Sequence, residues 1–176
     1  SDYQQLQTIL GEAGFIVNEK SFNWVANKKE LPANIHPGHY VVKDGMSNNA
    51  LVNMLRGGLQ TPVKVKFNNI RDIDQLAGRI ASQIEADSAA ISTMLHDQQY
   101  INQLGFNKYT IPALFLPDTY EFYWNTDAEG FVVRMFQEYN KFWTKERKQQ
   151  AQSKGLTPIQ VSTLASIVNK ETNMTD

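Results

Sequence analysis

The sequence has no cysteine, which removes disulfides, thiolate nucleophiles and cysteine-ligated metals in one step. The compartment stays open, because a reducing cytosol and a thiol-poor cell envelope both fit. Long apolar runs are also missing. None approaches the roughly 20 residues needed to span a bilayer, and Ser1-Asp2-Tyr3-Gln4 lacks the basic start and apolar stretch of a signal peptide. If the parent protein has a membrane anchor, it is expected outside this sequence, and both termini read as cut points. Nor does one sign of charge dominate: 17 Lys and Arg stand against 18 Asp and Glu, so there is no broad footprint for nucleic acid or an anionic membrane.

Histidine is scarce as well. His36 and His39 are separated by Pro37-Gly38 with no third ligand close by, which does not make a metal site, and His96 reads as a helix-surface residue. Ser162, Thr163 and Ser166 have no histidine base in any recognisable arrangement, so nucleophilic catalysis has no support. No metal site is expected.

What is present suffices for a folded protein: 41% of the 176 residues are hydrophobic, enough for one or two compact units. Tyr3, Leu6, Ile9, Leu10 and Ala13 recur at three- and four-residue spacing and predict a short amphipathic helix that stops near Gly11 and Gly14. A second helix, capped by Ser21 and carrying Phe22, Val25 and Ala26, ends before Pro32. Tyr40-Val41-Val42 reads as a strand, Asp44-Gly45 as a turn, and Ser47 as the cap of a helix with Leu51, Met54 and Leu55, stopped by Gly57-Gly58. Val63 to Phe67 alternates Val and Lys as a half-buried strand does. A shift of 25 residues lays Tyr40 on Val65, Ser47 on Asp72, Leu51 on Leu76 and Leu55 on Ile80, which implies two tandem strand-turn-helix units.

Beyond a boundary near 85 to 90, Ser88 and Asp97 are the candidate caps of two short helices ending near Gly105. Tyr109 to Trp124 reads as irregular. From Ala128 to Gln150 one long amphipathic helix is predicted, with Phe131, Val132, Met135, Phe136, Tyr139, Phe142 and Trp143 as a core-facing stripe.

The clearest helix start is Leu156-Thr157-Pro158-Ile159-Gln160, where Thr157 caps, Pro158 takes the first position and Gln160 completes a capping box. From there Leu164, Ile167, Val168 and Glu171 share one stripe, which puts a carboxylate at the end of an apolar face expected to be buried. Burial there would raise its pKa and keep it protonated, as a general acid requires. The same pattern also fits a glutamate where an apolar face meets solvent at a helix end. Asp118, after Pro117, suits a turn or cap, with Tyr120 and Phe122 as core.

The runs Leu164-Ala165-Ser166-Ile167-Val168-Asn169-Lys170-Glu171-Thr172 and Leu116-Pro117-Asp118-Thr119-Tyr120-Glu121-Phe122 resemble the helix motif and upstream segment of the endolytic murein transglycosylase (MltG, or YceG-like) family. Gly38-His39-Tyr40 through Gly57-Gly58 is similar to that family's LysM-like module. The resemblance implies an α+β protein: an N-terminal helical segment (1–37), a LysM-like module with a second strand-helix unit (38–86), and the mainly helical start of a catalytic domain (87–176). It implies that Glu171 is the single catalytic acid/base, and that Asp118, Tyr120, Glu121 and Thr172 lie near the glycan. The implied partners are peptidoglycan strands and the synthases that make them, with the parent anchored in the bacterial inner membrane and this part in the periplasm. Asn169 departs from the family, where an acidic residue often stands. The family continues past this glutamate with segments that complete the cleft, so the chain alone is expected to be inactive. A noncatalytic glycan-binding or scaffolding module is the alternative.

Overall fold

In the computed structural model, residues 2–68, 70 and 72–172 are described, with 169–172 described by their backbone alone. The chain forms two compact units, Ser1–Val63 with Glu121–Asn125, and Lys64–Tyr120 with Thr126–Asp176. The architecture is α+β, with nine α-helices and one two-stranded antiparallel sheet among the described residues.

The first unit is built on α1 (Tyr3–Glu12), α2 (Glu19–Lys28) and α3 (Asn48–Arg56). Asp2 caps α1, and the chain turns away from it at Gly14, whose φ of 73° is in the region glycine tolerates. The cap of α2 is Asn18, not Ser21: its Oδ1 accepts the Ser21 N–H at 2.9 Å, a full turn earlier than expected. Asparagine caps as well as serine does, and Ser21, now inside the helix, accepts from Asn48 Nδ2 at 3.2 Å. Ser47 caps α3 as expected, accepting the Ala50 N–H, and Gly57-Gly58 ends the helix.

Leu10, Phe22, Ala26, Leu31, Leu51, Val52 and Leu55 form the core of this unit. Each of the large side chains contributes on the order of 1.5–3 kcal/mol by burial.

The expected strand Tyr40-Val41-Val42 does not form. Its alternation is real, since Tyr40 and Val42 pack on the core and Val41 is exposed. A strand also needs a ladder to pair with, however, and the Thr61 N–H to His39 O bond at 2.9 Å is an isolated link. Residues 121–125 join this unit through Asn125, which accepts from Gln60 Nε2 at 3.1 Å and donates to Pro37 O at 3.3 Å. Gly38 lets Gln60 lie flat against the backbone, because a Cβ there would fall 2.1 Å from Gln60 Cδ.

The sheet pairs β1 (Val63–Phe67) with β2 (Asp118–Phe122). β1 follows its Val-Lys alternation. β2 occupies the segment expected to be irregular, where Pro117-Asp118 reads as a turn while Tyr120 and Phe122 alternate inward with Thr119 and Glu121 outward.

Between the strands lie α4 (Ile73–Ala81), α5 (Ser88–His96) and α6 (Gln98–Gln103). Asp72 caps α4 at the position the 25-residue shift assigns, with Leu76 and Ile80 buried like Leu51 and Leu55 of α3. The helices of the tandem units are therefore present, and the strand of the first is not. α5 is capped by Asp87 rather than its neighbour Ser88, and α6 by Asp97 as expected.

The long helix expected from Ala128 to Gln150 is two, α7 (Ala128–Phe142) and α8 (Lys145–Ser153). Thr144 breaks it by taking an extended conformation and accepting the Arg147 N–H, a new cap where periodicity alone saw continuity. Phe131, Val132, Met135, Tyr139 and Trp143 are buried, as the stripe implies, but Phe142 is 41% exposed. The aromatic interior joins Phe67 stacked on Tyr120 (centroids 5.4 Å apart) to Phe115 stacked on Phe131 (6.0 Å), through a Phe67–Phe115 edge contact. The chain closes with α9 (Pro158–Thr172).

Candidate functional site

Within the second unit, α9 faces a 3₁₀ turn, Ile111–Leu114, across a cavity of about 540 Å³, a volume within the range of small-molecule sites. Both walls are set by local sequence. Asn107 Oδ1 accepts the N–H groups of Tyr109 and Thr110, and Thr110 Oγ1 accepts the Asn107 N–H, a reciprocal turn that delivers Pro112 to the start of the 3₁₀ segment. On the other side the capping box forms: the Thr157 N–H donates to Gln160 Oε1 at 2.8 Å, and the Gln160 N–H to Thr157 Oγ1 at 3.3 Å.

From α9 the cavity receives Val161 to Thr163 and Ala165 to Ile167, and from the end of α7 Phe142 and Trp143. Its chemistry is apolar with hydroxyls, and no acidic residue lines it among those described.

Leu116 and Pro117 complete the wall. The two segments singled out in the sequence, 116–122 and 164–172, thus meet at one cavity although nearly 50 residues separate them. Their other members are placed differently. Asp118 is exposed, its Oδ1 accepting the Thr119 N–H at 2.7 Å, which is the local turn bond its position suggests. Glu121 is exposed on β2. Tyr120 is buried, and its hydroxyl donates to Leu116 O at 2.7 Å. Burial first, then the charges of Asp118 and Glu138, push that phenol up to about 12. None of these three borders the cavity; Tyr120 bears on it through Leu116.

Position 171 lies in the last turn of α9, four residues after Ile167, and the side chains of Glu171 and Thr172 fall outside the described residues. The stripe leading to it is not buried as expected. Leu164, Ile167 and Val168 are 47%, 53% and 63% exposed, and every residue of α9 from 163 to 168 is exposed. Whether Glu171 itself is desolvated lies outside the described residues.

Tyr109, Thr110, Ala113, Phe142 and Trp143 were not legible as site residues, since sequence shows Phe142 and Trp143 as core and the Asn107–Thr110 turn as a loop. Away from the cavity, His39 Nδ1 lies 3.0 Å from Thr61 O, and no three His, Cys, Asp or Glu side chains gather as metal ligands among the described residues.

An α+β chain with a cavity between a capped helix and an aromatic turn is the class these features define. The sequence model of the YceG-like family matches residues 1–176, so the chain belongs to that family. Among solved structures it is similar to a yceG-like protein from Listeria monocytogenes, with 18% sequence identity and a TM-score of 0.50 over 90% of this chain and 57% of that one. At that identity the likeness shows the fold, and the chain spans little more than half of that relative's length. No curated protein matches it.

Proposed function

We propose that the parent protein is an endolytic peptidoglycan lytic transglycosylase, and that this chain supplies its catalytic acid/base, Glu171. The observation that carries this reading is the convergence of the 116–122 segment and α9 on one cavity, in a chain of the YceG-like family. Glu171 protonates the glycosidic oxygen between N-acetylmuramic acid and N-acetylglucosamine. The resulting carboxylate then takes the proton of the muramyl C6 hydroxyl, whose oxygen attacks C1 and closes a 1,6-anhydro ring. The substrate supplies its own nucleophile, so one carboxylate can serve both steps, where a hydrolase needs a second group for a covalent intermediate or for water.

In this reading Thr172 contacts the sugar beside Glu171, Asp118 and Glu121 offer acceptors to the glycan beyond the cavity, and Tyr120 holds Leu116 in the wall. The expected partners are peptidoglycan strands and the synthases that make them. The expected setting is the periplasmic side of the bacterial inner membrane, with a single-pass anchor outside this chain. No helix among the described residues is long and apolar enough to cross a membrane.

The test is digestion of purified peptidoglycan by the full-length protein, wild type and Glu171→Gln, followed by mass spectrometry for 1,6-anhydro-muramyl ends. Such ends from the wild type that vanish in the variant support the lyase. Their absence from a folded wild type rejects it in favour of a noncatalytic glycan-binding module.

A further inference from the structure

Charge is spread unevenly along the second unit. Residues 134–154, the latter part of α7 and all of α8, carry six Lys and Arg against two Glu, a local charge of +4 in a chain whose total is −1. All six cations are exposed. Glu138 is spent within the patch, since Arg134 reaches it at 2.9 Å and Lys141 at 3.8 Å. Glu146 is held at the start of α8, where hydrogen bonds from its own N–H and from the Thr144 hydroxyl keep its carboxyl below the usual range.

Arg147 is occupied as well: its guanidinium lies 4.2 Å from the Phe142 ring centroid and donates to Phe142 O at 2.7 Å. That leaves Lys145, Lys148 and Lys154 with no carboxylate partner among the described residues. Lys145 and Lys148 stand one turn apart on α8, and Lys154 follows at its C-cap. None of the three lines the cavity.

The kind of cation indicates the kind of partner. A guanidinium grips one carboxylate or phosphate through its planar fork, and both arginines here are already engaged. The free cations are lysines, point charges on flexible stems that hold no single anion in a set geometry. They suit a partner that spreads many separate negative charges over an area as wide as α8, about 14 Å. Apolar insertion adds nothing, because Ala151 is the one hydrophobic residue of α8 and it is buried.

We infer that this face of α8 docks on the anionic headgroups of a lipid bilayer. The choice of a bilayer over a soluble polyanion rests on the membrane setting proposed above, and the chemistry of Glu171 does not enter it. Each lysine near such a surface is worth about fivefold in affinity, and three together about 100-fold.

The test sediments the 176-residue chain with vesicles that are half phosphatidylglycerol and half phosphatidylcholine, or phosphatidylcholine alone. Wild type should bind the anionic vesicles about 100-fold more tightly, and raised salt should erode the difference. Lys145→Gln with Lys148→Gln and Lys154→Gln should lose most of that preference. The control, Lys20→Gln with Lys28→Gln and Lys43→Gln, removes the same charge from the first unit and should stay within about threefold of wild type. All six lysines are exposed, so both triple variants should fold, which circular dichroism checks.

Equal binding to the two vesicles, or equal losses in the two triple variants, overturns the inference. No binding to the anionic vesicles overturns it as well, and capture by soluble polyglutamate in that case assigns the face to a soluble polyanion. The assay involves neither catalysis nor cells, so the lyase stands or falls on the digestion test, and the membrane setting on fractionation of cells that make the parent protein.

Discussion

Replacing Tyr120 by phenylalanine removes one oxygen, and with it the 2.7 Å hydrogen bond to Leu116 O that braces the cavity wall. At pH 8 the loss should cost about 1 kcal/mol, the net worth of such a bond when the freed carbonyl can find water in a neighbouring cavity. Alkaline pH should reverse the order. The Tyr120 phenol is pushed from 10.0 to about 12 in the folded protein, mainly by burial. Below pH 10 both folded and unfolded states hold the proton and this group is neutral to stability. Between pH 10 and 12 the unfolded chain releases its proton first, so the wild type loses stability that the variant cannot lose. Two pH units at about 1.36 kcal/mol each amount to about 2.7 kcal/mol, which offsets the lost bond and leaves Tyr120→Phe about 1.7 kcal/mol the more stable once the pH has passed 12. Tyr3, Tyr40, Tyr100 and Tyr139 are raised as well, but they are common to both proteins and cancel in the difference. Urea unfolding followed by circular dichroism at pH 8, 10, 11 and 12 measures it. A gap between the two proteins that stays constant over this range would refute the burial of the phenol.

Phe131 is fully buried and stacks on Phe115, so Phe131→Ala should cost about 3–5 kcal/mol in chemical denaturation; a cost under about 1 kcal/mol would mean that this aromatic interior is not formed. Gly38→Ala should cost about 1–3 kcal/mol, because its Cβ would collide with Gln60 Cδ. In a Gln60→Ala background the same substitution should cost less, the remainder coming from the φ of 159° that a side chain disfavours, and equal costs in the two backgrounds would place all of the strain in the backbone.

Much of the fold was legible because it is decided within a few residues. The caps Ser47, Asp97 and Thr157, the capping-box partner Gln160 and the Val-Lys alternation of β1 each act through neighbours within one turn or one pleat. Where local signals competed, the reading slipped. Asn18 outranked Ser21 and Asp87 outranked Ser88, since polar residues within a turn of one another cap about equally well and only the chain's actual entry angle chooses. The break at Thr144 has the same origin, a good cap inside a good apolar stripe.

Residue spacing by itself determined nearly all of the helices and the strand β1, and the family resemblance of two sequence segments supplied the α+β class and marked those segments as belonging together. Tertiary structure alone decided which extended segments became strands. Tyr40-Val41-Val42 and Asp118–Phe122 alternate in the same way, but only the second has β1 beside it, and backbone N–H and C=O groups make a ladder only where another strand arrives. It also decided that segments 116–122 and 164–172 share a cavity, that Phe142 stands at its mouth rather than in the core, and that the stripe of Leu164, Ile167 and Val168 is exposed. Periodicity says which residues share a face of α9, whereas what covers that face depends on chain distant in sequence, and no local pattern encodes it.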